Sequence, residues 1–474
     1  MPFLFYDLDA LFAGDSVFIH SAYANWINYG PLVGKNMAAN KFKSPAKYIA
    51  LIYWKTMHAE LNSSNGANPE RLAVMNFLNE MAGNYPAAIS FASGRPAEEF
   101  FDVPHWLACI PLYEQYFAAA RGLAPQAAQR VLAQYGPTAG IINELIARQV
   151  GLDEHIQCKA GDVLVTSGCQ EAIELCVRHL CPAPDDVLLV RSPTYIGITG
   201  VADLHGIHIA PFSSAPGAMA AGLEAAIQQA KERGQRPRAL YLVPEFDNPT
   251  GTVIGLEERR AVLAVCARHR VMILEDNPYG MFRFEGESVP SFYSLDSRGS
   301  VVYLGTYSKT ICPAVRIGFA ILPSGSDMLS SLSQAKSFVT VNTSQIMQAM
   351  VGGFLLDQDG SLRRHVQPAI AHYRRNRDTM LDALERAFAG CDGVSWNRPE
   401  GGFFLVVRLP MAFGMAEAET CARDHGVLVM PLRFFSHDAQ QDRCVRLAFS
   451  NNDPMRTEEG VQRFARFVRQ RLGR

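Results

Sequence analysis

Ten cysteines are scattered along the chain, yet no two form a C-x-x-C pair. That absence removes the spacing used by zinc ribbons and dithiol redox centres, and reduced thiols in a cytoplasmic protein are the simpler reading. No run of five Lys or Arg occurs, and 44 basic residues against 46 acidic ones leave a formal charge of −2. Such a balance argues for neither nucleic acid nor an anionic membrane surface. No stretch of 18 apolar residues suggests a membrane span. The apolar opening "MPFLFYDLDALFAGDSVFIHSAYANW" is interrupted by Asp7, Asp9 and Asp15 and lacks a basic leading segment, so it makes a poor signal peptide. The twelve histidines show no ligand-like pairing and read as surface or packing residues, so no metal site is expected. Internal repeats, low-complexity tracts and an evident flexible linker are missing too.

What is present is 474 residues of ordinary globular composition, 48% apolar and 19% charged, enough to bury a large core without disulfides or metals. At roughly 100–200 residues per domain, two domains are the default expectation. The middle of the chain alternates β-rich runs with helical patterns. "DVLVTS" (162–167) precedes the helix-like "CQEAIELCVRHL" (169–180), and "DVLLVRS" (186–192), "GIHIAPF" (206–212) and "RALYLVP" (238–244) read as strands. "LEERRAVLAVCARHR" (256–270) has helical periodicity and leads into the strands "VMILED" (271–276) and "VVYLGT" (301–306). This alternation predicts an α/β fold on a mainly parallel, helix-covered sheet, with ligands at the carboxyl ends of the strands. Ser167, Ser192, Asp247, Asp276 and Ser308 cluster at those ends. A long helical pattern begins near residue 325, and from about 360 the order helix, strand, helix, strand, helix predicts an α+β unit. Residues before about 120 read as irregular, and 1–80 as an arm or extension with little core of its own.

Three successive strand ends carry reactive or polar groups. "VPEFDNPTG" (243–251) closes one strand with an Asn-Pro-Thr-Gly turn, which alone is only a turn signal. "LEDNPYG" (274–280) sets Glu275 and Asp276 at the end of a very apolar strand, where a lone carboxylate is ordinarily a cap or an ion-pair partner. "GTYSKTICPAVRIGF" (305–319) places Lys309 at the next strand end, with Arg316 seven residues later. A half-buried lysine is costly unless its charge is paired or its amine is used in chemistry. Pyridoxal phosphate needs such a combination: an amine for a Schiff base, a carboxylate opposite its ring nitrogen, donors to its phenolic oxygen, an aromatic face and an anion cradle.

From about residue 88 to 450 the chain resembles the class I/II aminotransferases, a fold-type I, pyridoxal-phosphate-dependent family. The resemblance implies a large cofactor-binding domain over 126–345 and a small α+β domain over 346–474. Residues 86–125 would contribute to the small domain, and 1–85 would form an N-terminal extension. It implies that Lys309 carries the cofactor as an aldimine and that Asp276 pairs with the pyridine nitrogen. Asn248 and Tyr279 would face the phenolic oxygen, and Tyr195 in "RSPTYIG" would stack on the ring. Arg316, Ser308 and Thr306 would surround the phosphate, together with Gly168, Cys169 and Gln170, where a strand turns into a helix whose N–H groups suit an anion. "CVRLAFS" (444–450) resembles the motif whose arginine, here Arg446, grips the substrate α-carboxylate, and "ISFASGRP" (89–96) resembles the loop that brings Gly94 close to it. "QYGPTAG" (134–140) resembles the segment whose tyrosine, here Tyr135, reaches a neighbouring subunit's site, which implies a homodimer. "PEGGFF" (399–404) is a further family signature.

For several of these positions a plainer role competes. Cys169 reads as a small packing residue, Arg95 as either a substrate reader or a surface cation, and Phe403 and Phe404 as core. Asp247 stands where the family often has an amide or histidine, and Ala314 where it usually has glycine; Asp247 would add a negative charge near the cofactor. The resemblance implies amino transfer on an α-amino acid, with Lys309 moving the Cα proton. Elimination, replacement, carbon–carbon bond formation and oxygen-dependent oxidation on the same scaffold stay open, as does a non-enzymatic cofactor-binding regulator.

Overall fold

The described chain opens with the short β1 (Ile89–Ser90). A seven-stranded sheet then follows, made of β2 (Val163–Thr166), β3 (Asp186–Arg191), β4 (His208–Phe212), β5 (Arg236–Leu242), β6 (Met272–Asp276), β7 (Val301–Thr306) and β8 (Gly318–Ile321). The spatial order is β2-β8-β7-β6-β5-β3-β4. Strands β3 to β7 are parallel, while β8 runs antiparallel between β2 and β7. The structure, a computed structural model, describes residues 83–213, 217–436 and 439–473. These belong to the compact unit Ala67–Arg474. The extension expected over 1–85 therefore lies, apart from 83–85, outside the described residues.

The sheet forms where the sequence is most apolar, and its strands are buried on both faces. In β7, Val302 and Leu304 join one buried cluster with Leu188, Tyr241 and Leu274. Tyr303, between them, packs into a second cluster with Val163, Val165, Phe319 and Ile321. That alternation is the two-residue period of a strand covered from both sides. Helices supply the cover, among them Cys169–Leu180 and Leu256–His269, whose bounds agree with the sequence patterns to within one residue.

Two expectations need correction. The stretch before residue 120 is not irregular: it contains the helices Val103–Ala108 and Ile110–Arg121, which bury Trp106, Tyr113 and Phe117. Each begins with a proline in its first turn, where the missing N–H costs nothing. Pro104 and Pro111 break up the pattern that would otherwise betray a helix. β8 also has no counterpart in the sequence reading, because four residues are too few to show a period.

Beyond the helices Met328–Val339, Gln345–Asp357 and Arg363–Ala387 come β9 (Ser395–Trp396), β10 (Phe404–Arg408), β11 (Val427–Leu428), β12 (Met430–Pro431) and β13 (Cys444–Ala448). An antiparallel sheet orders them β12-β13-β10-β9, and β11 pairs in parallel with β1. The helices Met415–His425 and Pro454–Arg471 complete the expected α+β unit. Residues 89–91 thus stitch the start of the described chain to its end: Phe91 donates to Leu428 O at 2.8 Å and accepts from Ala448 N at 2.8 Å.

Candidate active site

Because β2, β3, β5, β6 and β7 point the same way, the residues after each strand emerge along one edge of the sheet. β6 ends at Asp276, β7 leads to Lys309, and β5 leads to Asp247 and Asn248. β8 runs the other way, so its entry lies on that same edge, and Arg316 sits two residues before it. Thr166, Gly318 and Thr306 stand side by side across β2, β8 and β7. Antiparallel β8 is therefore what brings the arginine to the lysine's side.

The Asp276 carboxylate is buried and held at both oxygens. Tyr241 Oη donates to Oδ2 at 2.6 Å, and the Cys169 thiol donates to Oδ1 at 3.4 Å. Burial pushes its pKa up to about 6, against the opposing pull of those two bonds and of Lys309. Cys169 is thus a partner of the carboxylate and not merely a filler. Tyr241 was not singled out by the sequence, although a phenol inside an otherwise apolar strand is a signal of its kind. Glu275, next to Asp276, faces the other side of the sheet and accepts from Phe292 N and Tyr293 N at 2.9 Å, capping a helical turn.

Lys309 is half-buried, and its amine donates to Gly94 O at 3.3 Å. Desolvation and the repulsion of Arg446 pull its pKa down to about 8; Asp276 opposes this, while Arg316 and Arg95 reinforce it. A neutral amine is therefore accessible near physiological pH.

An anion cradle faces this group. Gly168 precedes the helix Cys169–Leu180 without any side-chain cap, leaving the first N–H groups to an external acceptor. Gly168 has φ +81°, and a Cβ there would stand 2.2 Å from the Arg316 guanidinium. Arg316 Nη2 in turn donates to Ser167 O at 3.1 Å. Beneath the turn, the Glu171 carboxylate accepts from Ser167 N at 2.6 Å and from the buried Lys336 amine at 3.2 and 3.3 Å. Ser308 and Thr306 lie on the adjoining turn, with Ser308 N donating to Thr306 Oγ1 at 3.1 Å.

Arg446, on β13, is buried between the rings of Phe404 and Phe435, at 4.3 and 4.7 Å. Its Nη1 donates to Asn248 Oδ1 at 2.6 Å and its Nη2 to Ala92 O, while Nε has no hydrogen-bond partner. A buried guanidinium with an unused donor is set up for an incoming carboxylate. Gly94 must be small, since a Cβ there would stand 2.1 Å from the Phe404 ring. Phe404 is thus both core and a wall of the site. Tyr279 is buried edge-on against Phe403 and Phe404, 5.2 and 5.7 Å between centroids. Tyr195 Oη reaches Gln170 Oε1 at 3.3 Å.

A class I and II aminotransferase family model matches residues 104–464. The chain belongs to that family. Among relatives of this aminotransferase is the (S)-3,5-dihydroxyphenylglycine transaminase of Amycolatopsis orientalis, 40% identical over 423 residues, 88% of this chain and 95% of that protein. Solved structures with the same fold include a multiple substrate aminotransferase from Thermococcus profundus, 26% identical with TM-score 0.74, and a Pyrococcus horikoshii kynurenine aminotransferase in complex with PMP, 27% identical with TM-score 0.73. Each aligns 84% of this chain with 95% of theirs. The aminotransferase is an enzyme that moves amino groups, and its cofactor is pyridoxal phosphate. No described helix is long and apolar enough to cross a membrane.

Two expectations change against this geometry. Asp247 has a second engagement: its carboxylate accepts from Thr250 Oγ1 at 2.6 Å and from Thr250 N at 3.3 Å, bracing the Asn-Pro-Thr-Gly turn, while its charge is felt at Tyr279. Burial raises its pKa, with Arg191 acting against that rise. The histidines are not all solitary either. His105 pairs with Asp357 at 3.2 Å, and the Cys109 thiol lies close enough that the three ligand atoms fall within 4.8 Å.

Proposed function

We propose that this enzyme transaminates an α-amino acid with Lys309 as its reactive amine, and that Asp276, Arg316 and Arg446 hold the pyridine nitrogen, the cofactor phosphate and the substrate α-carboxylate. The observation that carries this reading is the environment of Lys309. A half-buried amine with a pKa lowered to about 8 and one carboxylate against three arginines is built to react, not to pair. When bound, pyridoxal phosphate supplies an electron-poor pyridine that draws electrons from the substrate's Cα. The Lys309 amine would take the Cα proton and carry it. Asp276, held by Tyr241 and Cys169, would meet the pyridine nitrogen. Asn248 and Tyr279 would serve the phenolic oxygen, and Tyr195 the ring. Gly168, Cys169, Gln170, Thr306 and Ser308 would join Arg316 in holding the phosphate.

Tyr135 is 82% exposed and Phe338 86% exposed. Gln345 donates to Val131 O at 3.2 Å and also to Gln134 O, tying Tyr135's segment to the helix that carries half-exposed Ile346. These exposed apolar side chains support a homodimer in which Tyr135 reaches the partner's site.

The relative at 40% identity is named for an arylglycine, which makes arylglycines the first substrates to test. Amino acid alone should consume one equivalent per site and stop, and a keto acid should restore the starting form. Repeated turnover without keto acid would replace transamination by elimination, replacement or oxidation. The residue that favoured such chemistry from sequence, Asp247, has other work in the turn.

A further inference from the structure

One convergence of side chains has no role in the chemistry above. His105 O accepts from Cys109 N at 3.1 Å, which keeps helical spacing between the two residues and puts both side chains on one face. Against them packs the helix Gln345–Asp357, where Gly353 and Asp357 also stand one turn apart. Gly353 lets the two segments touch, since a Cβ there would stand 1.9 Å from Cys109 O. The Phe354 ring meets the His105 imidazole edge-on, 5.6 Å between centroids, and braces it.

An imidazole, a thiol and a carboxylate therefore meet. His105 Nε2 and Asp357 Oδ2 pair at 3.2 Å, and ligand atoms of all three residues fall within 4.8 Å of one another. Ion pairing accounts for two of these groups and leaves the third unexplained. Cys109 is 1% exposed, and no hydrogen bond engages its thiol among the described residues. The charges of Asp357 and Asp102 both reach that sulfur, so the cluster attracts a cation. We propose that His105, Cys109 and Asp357 bind a borderline-soft divalent cation, zinc first among them, which clips the turn at Cys109 to the helix Gln345–Asp357. Zinc takes nitrogen, sulfur and carboxylate ligands at about 2.0–2.3 Å, so ligand atoms around a tetrahedral ion lie roughly 3.3–3.7 Å apart. The His105–Asp357 spacing is already near that size. Closing the remainder takes rotation of two partly exposed side chains, 41% for His105 and 31% for Asp357. The thiol gives its proton to solvent as the sulfur–zinc bond forms, and water fills the fourth position. Magnesium and calcium, which require oxygen ligands, do not suit the set.

The test uses holoenzyme without amino acid, stripped of metal by a chelator that is then removed. Zinc titrated in competition with a chromophoric chelator should bind at one equivalent per chain with Kd below about 1 µM. His105→Ala and Asp357→Asn should each weaken binding at least about 100-fold, since even changes behind a ligand cost about 10–100-fold. Cobalt in place of zinc should show the red ligand-field bands of a four-coordinate ion, clear of the cofactor's absorption, and those bands should shift in Cys109→Ser. Zinc should raise the unfolding temperature of wild type and not of His105→Ala, and magnesium should raise neither. Absence of tight zinc binding in wild type overturns the proposal, as does equally tight binding in His105→Ala and Asp357→Asn. A cobalt spectrum unchanged in Cys109→Ser overturns it too, leaving an ion pair beside a buried cysteine. If Cys109→Ser does not fold, the two partly exposed positions decide the matter.

Discussion

Among the described residues, Lys336 and Lys309 each feel a nearby carboxylate, and their pairing is opposite. Lys336 is fully buried and fully paired, with both Glu171 oxygens at 3.2 and 3.3 Å and Thr340 Oγ1 at 2.7 Å. Through Glu171 it rivets Ser167 and the start of the helix Cys169–Leu180. Lys309 is less buried, but its described hydrogen bond is to a backbone carbonyl, and the charges of three arginines reach it. Burial lowers the pKa of both amines. What separates them is pairing: a buried amine whose donors are satisfied stays inert, and one kept desolvated among like charges becomes a base and a nucleophile.

The comparison can be broken at several points. Lys309→Ala should cost more than about 10³-fold in kcat, since both proton transfer and cofactor attachment are lost. Borohydride should then trap no adduct, and an adduct on another lysine would move the site. Lys336→Met should instead cost stability, about 3–5 kcal/mol in a denaturant titration, because Glu171 is left charged and buried. The double variant Lys336→Met/Glu171→Leu should recover most of that loss. A Lys336→Met protein of native stability would remove the structural role.

Smaller effects sharpen the contrast. Arg446→Lys should lower kcat/KM for amino-acid substrate by at least about tenfold, one charge-assisted contact, while the cofactor spectrum persists. The pH dependence follows from the sign of the Lys309 shift. Only the neutral amine attacks, so the rate at which apoprotein takes up pyridoxal phosphate should rise with pH and level off above about 8. At pH 7 it should run about tenfold below its plateau. An inflection above pH 10 would mean that Lys309 is an ordinary solvated lysine. Least of all, Asp247→Asn should cost about 1 kcal/mol through its bond to Thr250 and leave the reaction type unchanged. Turnover without an acceptor in that variant would return Asp247 to the chemistry.

Much of this arrangement was legible in the sequence because it is local. The ends of β5, β6 and β7 carry their polar residues within a few positions of an apolar run, and the helix Cys169–Leu180 has the bounds its pattern predicts. What escaped depends on register. Tyr241 meets Asp276 only because β5 and β6 lie side by side with Tyr241 opposite Leu274, which puts its phenol on the same face as Asp276 two residues on. Lys336 meets Glu171 across 165 residues, and nothing near "SQAKSF" marks it. Asp247 shows the converse: its hydroxyl partner three residues on ties it to the turn, while its charge is still felt at Tyr279.

One consequence follows from the antiparallel course of β8. Residues 307–317 form a closed loop, pinned where Thr306 stands opposite Gly318 and where Tyr307 N meets Ile317 O at 3.1 Å. Both the amine proposed to react and the arginine proposed to face the phosphate ride on it, so eleven contiguous residues form a portable chemical cassette. The groups proposed to meet the substrate carboxylate sit elsewhere, Arg446 on β13 and Gly94 on the 91–97 loop. Natural variation can therefore redraw what the enzyme accepts by rewriting that rim, with the cassette inherited intact.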